Sequence, residues 1–298
     1  MKLFQNKYAV LIVLALVWGT SFILIKKSVD VFSPYQVGAL RVSMAGLVLM
    51  SFGIPALRKL DKKTLMWAAI GGCFGNFIPM FLFPMAEVKV SSSLAGILNS
   101  LVPIFTLFFG FLLFNTKSTK VQVLGAIIGF AGANVLMYFT GGSGGESHFQ
   151  YALLIILATI SYSLSGLIVK SKLNHVRSLE LSGAVFSIWF LPALIILIFS
   201  GFFTEFNGSV EHWKGLGYVS ILAFMGTAMA MILFYKLIQQ TTAVFASSVT
   251  YLMPVVAVLW GILDGEEFNF WFIIGGFLIL IGIYLIREKS GTEIISKK

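Results

Sequence analysis

The sequence predicts an all-α membrane protein of about ten transmembrane helices, built as two inverted five-helix repeats. Three observations lead there: a composition that only lipid can solvate, a regular succession of apolar runs, and a weak likeness between the two halves. The chain is 58% hydrophobic and only 11% charged, with a mean hydropathy of +0.94. A soluble domain carries roughly 25% charged residues, so a water-facing surface cannot be assembled from this sequence. One span takes about 20 mostly apolar residues, and 298 residues then leave only short loops and no extramembrane domain.

The elements follow in order. Apolar runs fall at 8–27, 34–54, 65–86, 92–114, 119–139, 151–170, 179–200, 215–236, 243–263 and 270–287. The first is too long for a signal-peptide core and no small-residue cleavage site follows it, so it reads as a span. Ser33-Pro34 separates the first two runs, and the charged stretch from Arg58 to Lys63 separates the second from the third. Asn115-Thr116-Lys117-Ser118 ends the fourth run, and Lys172-Leu173-Asn174-His175 ends the sixth. Near the midpoint stands Gly141-Gly142-Ser143-Gly144-Gly145, whose composition is that of a linker. The organisation is therefore a first unit over 1–140, a linker over 141–148 facing the periplasm, and a second, inverted unit over 149–289.

Basic residues orient the chain. The net charge is +9; in a soluble protein that would suggest nucleic acid, but here the Lys and Arg sit in short loops and tails and set topology instead. With the N-terminus inside, the inner segments hold the clusters Arg58-Lys59, Lys62-Lys63, Lys117 with Lys120, and Lys170 with Lys172 and Arg177. The outer segments hold only Lys26, Lys27, Lys89 and Lys214. This bias puts both termini in the cytoplasm of an inner-membrane protein and requires an even number of spans.

The halves match at drifting offsets. One register lays Asn76 on Thr227, Ala95 on Ala246, Leu101 on Leu252, Pro103 on Pro254 and Gly110 on Gly261. Others lay Gly125 on Gly275, Gly132 on Gly282, and Tyr8 on Tyr151 with Ala15 on Ala158. Five spans per half send the second copy through the membrane upside down, a common plan of secondary transporters that bind cargo near the midplane.

Candidate cargo-binding residues follow from depth and polarity. Trp18 lies roughly 15 Å into the first span at 1.5 Å per residue, far from the interfacial belt where Trp anchors. Asn76, Tyr162 and Thr227 reach comparable depths, and Asn99 and Thr250 lie somewhat shallower from opposite sides. Pro103 and Pro254 free the carbonyls four residues back, those of Asn99 and Thr250, and Tyr251 adds an aromatic face beside them. Arg41 is the one charged residue well inside a span; it either snorkels to the outer headgroups or attracts an anionic group of the cargo. Small-residue pairs, Gly71 with Gly75, Gly125 with Gly129 and Gly261 with Gly265, favour close helix approach.

The sequence offers no chemistry of catalysis. His148, His175 and His212 fall in loops, no Asp or Glu lies at mid-span, and no metal pair, triad, P-loop or dinucleotide fingerprint stands where it could work. The lone Cys73 excludes an intrachain disulfide and a multi-cysteine metal site. The chain reads as a non-enzyme without cofactor, whose partners are the lipid bilayer and a small-molecule substrate rather than nucleic acid. Monomer and homodimer both stay open.

Trp18-Gly19 in the first span, Arg41 in the second, the paired proline segments and the ending Leu263-Asp264-Gly265-Glu266-Glu267 resemble the drug/metabolite transporter superfamily, EamA type. The resemblance covers essentially the whole chain. Asn115-Thr116 stands in the first copy where the family's Gly-Glu would be. The resemblance implies a ten-span carrier, often an exporter of amino acids or other metabolites working by alternating access. A lipid-carrier translocase and a drug efflux carrier are the alternatives on the same fold.

Overall fold

The computed structural model describes residues 6–90, 92–140, 149–263 and 270–286. Every regular element among them is helical. The linker 141–148, the ending at 264–267 and the termini lie outside the described residues.

α1 (Lys7–Val29) begins at Asn6, whose side chain accepts the Tyr8 N–H. α2 (Pro34–Lys59) opens with a capping box: Ser33 and Gln36 each bond the other's backbone, and Pro34 fills the first turn, where its missing N–H costs nothing. α3 runs over Lys62–Glu87 from Asp61, whose carboxylate accepts from the Thr64 N–H and hydroxyl. Those bonds hold the Asp61 carboxyl below the usual carboxylate range. α4 (Ser92–Asn99) and α5 (Val102–Phe114) share one apolar run, and α6 is Lys120–Thr140. α7 (Phe149–Lys172), α8 (Ser178–Phe199), the short α9 (Phe202–Glu205) and α10 (Val210–Gln240) follow. α11 (Ala243–Ser247) and α12 (Val249–Leu263) again share a run, and α13 is Trp271–Ile286.

Six helices among the described residues are long and apolar enough to cross a membrane: α1, α2, α3, α7, α8 and α10. Shorter apolar stretches at Val102–Phe114, Lys120–Val135, Ala243–Val256 and Ile273–Ile286 fall on the remaining runs. Two runs expected as single kinked helices are broken instead. Between α4 and α5 the Leu101 N–H turns to the Leu98 carbonyl, and Pro103 sits in the first turn of α5; proline fits a helix start and clashes inside one. The second break falls at Ser248, and Pro254 remains inside α12.

α3 and α10 each carry a π-helical segment, Cys73–Phe77 and Phe224–Met229. One extra residue per turn skips a carbonyl. The Ile78 N–H bonds back to the Cys73 carbonyl, and the Ala230 N–H bonds the Met225 and Thr227 carbonyls, passing over Gly226.

Glycine sets the closest helix contacts. α2 packs along α8, and α6 along α13, as the two most extensive pairings. A Cβ on Gly53 would stand 2.2 Å from the Gly183 carbonyl oxygen, and one on Gly282 would stand 2.5 Å from the Gly129 Cα. The α2–α8 pair is antiparallel and tied at one end, where the Gln36 side-chain amide donates to Glu205 Oε2 at 2.7 Å and to the Ser200 carbonyl at 3.1 Å. Asn115 closes α5 at φ 51, and the Thr116 N–H reaches the Gly110 carbonyl at 3.0 Å. Asn is the non-glycine residue that best tolerates this left-handed turn. Histidine was expected only in loops; His212 instead lies in the first turn of α10, stacked between Phe32 and Phe206.

The glycine contacts predict a contrast in thermal unfolding followed in detergent. Gly53→Val should cost about 1–3 kcal/mol or more through overpacking. Gly217→Ala, with nothing within 4 Å of its added methyl, should change stability far less; equal losses would refute the close-packing account.

Candidate functional site

The helices surround a partly open cavity of about 80 Å³. Its first wall is a stripe of α1: Trp18, Ser21, Phe22 and Ile25 line it, the i, i+3, i+4, i+7 positions of one helix face. Phe83 and Met80 of α3 and Tyr162 of α7 oppose the stripe, with Met231 and Phe234 of α10 beside it. The Phe83 and Tyr162 rings lie 6.0 Å apart, and Trp18 meets Phe234 edge-on at 5.0 Å. The broken helices supply Asn99, Val102 and Thr106 from one run and Ser247, Thr250 and Met253 from the other.

The π segments touch the cavity through their glycines, Gly75 and Gly226. Trp18 Nε1 donates to the Gly226 carbonyl at 2.8 Å, the carbonyl that the π turn leaves out of the ladder. That bond fixes the indole across the wall. A Cβ on Gly226 would stand 3.0 Å from Ser21 Oγ, and one on Gly75 would stand 2.2 Å from Ser165 Oγ, so the backbone must be bare at both places.

Arg41 lines the cavity and is only 6% exposed; it does not snorkel. Its Nη2 donates to Thr227 Oγ1 at a long 3.4 Å, and its Nε has no hydrogen-bond partner. Asn99 is 3% exposed. Its Nδ2 faces the Met253 sulfur at 3.5 Å, which can only accept, and its Oδ1 has no partner. A buried polar atom left unsatisfied costs about 1–3 kcal/mol. Two of them in one cavity wall mark a surface that is completed by something else.

Five of the residues predicted for the site therefore meet: Trp18, Arg41, Asn99, Tyr162 and Thr250. Three do not line the cavity. Asn76 is buried and spends its amide on the Tyr235 hydroxyl at 2.8 Å. Thr227 is buried behind the wall as the acceptor for Arg41. Tyr251 turns away, wholly buried against Gly129, and donates to the Ala126 carbonyl at 2.7 Å. The serine and threonine hydroxyls that line the cavity donate to carbonyls: Thr250 to Ser247, Ser247 to Val244, Ser21 to Val17, Ser165 to Gly71, Thr106 to Val102.

Glu87, just past the third apolar run, is the last residue of α3 and is completely buried. It acts electrostatically on Arg41, and its backbone carbonyl accepts from Lys26 Nζ at 3.3 Å. Among the described residues no cluster of metal-ligating side chains is present.

Comparison with known proteins gives this geometry its context. The EamA-like transporter family matches residues 6–138 and again residues 150–287. The inner membrane transporter YedA of Escherichia coli, itself uncharacterized, is 28% identical over 292 residues, spanning 95% of this chain and 93% of its own. An uncharacterized transporter of Archaeoglobus fulgidus is 26% identical, over 96% of this chain and all of its own. A WAT1-related chloroplastic protein of Arabidopsis thaliana is 23% identical over 93% of this chain and 68% of its own. A crystal structure of another protein, 19% identical, superposes with a TM-score of 0.66 over 94% of this chain and 96% of that one, a likeness of fold.

The division between lining and non-lining residues is testable with any transported solute. Tyr251→Phe should lower thermal stability by about 0.5–1.5 kcal/mol, because it removes a buried hydrogen bond, and leave solute affinity unchanged. Asn99→Ala and Tyr162→Ala should weaken binding while the protein still folds. The reverse pattern would move the site.

Proposed function

The chain belongs to the EamA-like transporter family, and on that premise we propose that it is a secondary transporter exporting a small amphipathic metabolite across the inner membrane by alternating access. The observation that carries the cargo chemistry is Arg41: a buried guanidinium in the wall of a cavity otherwise dominated by aromatic and aliphatic side chains. Arg presents a planar fork matched to a carboxylate, and the Trp18, Phe22, Phe83 and Tyr162 rings suit an apolar body.

The proposal includes two inverted five-helix units, 1–140 and 149–289, around the periplasmic linker 141–148, with both termini cytoplasmic. Two observations support it. The π segments start at Cys73 and Phe224, the same offset that pairs Asn76 with Thr227 and, now, Gly75 with Gly226. The packing is also reciprocal: α1 of the first unit lies on α10 and α12 of the second, and α7 of the second lies on α3 and α5 of the first. A two-fold exchange of the units reproduces that pattern, and the self-paired helices α2 with α8 and α6 with α13 would flank its axis. The π segments and helix breaks are where the units can bend.

Two experiments test this reading. Protein purified into liposomes should catalyse counterflow of a carboxylate-bearing amphiphile. Arg41→Ala should depress that flux at least about tenfold and spare the amide analogue, with Arg41→Lys recovering only part because it lacks the fork; equal loss for both solutes would relegate Arg41 to a structural role. For topology, single cysteines in the 171–178 loop on a Cys73→Ala background should be labelled only after permeabilisation. Labelling from outside intact cells would overturn the inverted arrangement.

A further inference from the structure

We infer that the cargo is a net monoanion, an apolar carboxylate bearing a neutral hydrogen-bond donor such as a hydroxyl or amide N–H, in preference to a zwitterion of the same shape. The inference rests on reading the cavity as the cargo site and adds its charge selectivity.

Among the described residues that line the cavity, no Asp or Glu is present and Arg41 is the one fixed cation. Its Nε lacks a partner, so an anion entering beside it gains a charge-assisted bond that the protein does not already make. The second unsatisfied atom is Asn99 Oδ1, an acceptor that asks the cargo for a donor. The lining serine and threonine hydroxyls Ser21, Ser165, Ser247 and Thr250 have committed their protons to carbonyls and can only accept in turn. The lining therefore offers one positive donor group, an unmet acceptor in Asn99 Oδ1, and otherwise only neutral groups, the Tyr162 hydroxyl and the Asn99 amide N–H among them.

A carboxylate with a neighbouring hydroxyl meets both demands. An ammonium in the same place would be stripped of water and set in a wall that carries a guanidinium and no counter-anion. Burying a charge without an opposite charge is far costlier than burying a hydroxyl that finds one acceptor. Glu87 does not change this. It acts on Arg41 from outside the wall, with Lys26 at its helix end, and its carboxylate is not among the groups that cargo would touch.

The test is competition binding to the purified full-length protein with matched probes: 3-phenyllactate, phenylalanine, 3-phenylpropionate and phenylalaninamide. Phenyllactate should bind about tenfold tighter than phenylalanine and than phenylpropionate, which has the anion and no donor, and phenylalaninamide should bind weakest. Asn99→Ala should erase the advantage of phenyllactate over phenylpropionate. Asn99→Asp, which supplies the missing anion, should turn the preference toward phenylalanine. Phenylalanine binding as well as or better than phenyllactate in the unsubstituted protein overturns the inference. So does an unaltered phenyllactate preference in Asn99→Ala. Transport of an uncharged amphiphile with no binding of any carboxylate probe would overturn it as well, while leaving the transporter reading intact.

Discussion

A guanidinium held inside a helical bundle that lipid surrounds is the constraint on which the rest of this molecule depends. Lipid offers no hydrogen bonds, so Arg41 has to be met by protein, by water in a cavity, or by cargo. The protein meets it in part, through the hydroxyl of Thr227 and the nearby charge of Glu87. Room for what completes it comes from aromatic side chains that stand around the space without filling it, and from glycines that keep the backbone bare where the π segments reach the wall. The α2–α8 pair that carries Arg41 is closely seated through Gly53 and Gly183, which gives the charge a rigid mount.

The irregular backbone follows from the same constraint. Non-helical or loosened backbone at membrane depth is tolerated where it is buried in protein or lines a cavity. The π segments of α3 and α10 and the breaks after Asn99 and at Ser248 all satisfy that condition. The carbonyl skipped at Gly226 is used by Trp18, so the departure from regular helix also orients a wall residue. Such segments are softer than continuous helix.

Much of this was legible in the sequence, and the rest was hidden for identifiable reasons. Composition required lipid, the apolar runs located the helices, and of the residues named from depth and polarity Trp18, Arg41, Asn99, Tyr162 and Thr250 line the cavity. Depth fixes position along a helix axis but not the direction a side chain faces. Asn76, Thr227 and Tyr251 have the right depth and the wrong azimuth. For Asn76 and Thr227 the π turn adds a residue and shifts the phase, so a 3.6-residue extrapolation cannot place them. The stripe of Trp18, Ser21, Phe22 and Ile25 did have a readable helical spacing, but in a helix apolar on every face one stripe does not stand out. Glu87 marks the end of its apolar run and the last residue of α3, but its burial could not be read from that position.

The central claim is that one cavity, centred on Arg41 and the α1 stripe, receives the cargo and opens to each side in turn. The most direct measurement is the reactivity of a single cysteine, Ser21→Cys on a Cys73→Ala background, toward a membrane-impermeant maleimide applied to one face of sealed proteoliposomes at a time. The account predicts labelling from both faces and slower labelling from both when a transported carboxylate is present. Labelling from neither face, or at a rate that cargo does not change, would contradict it.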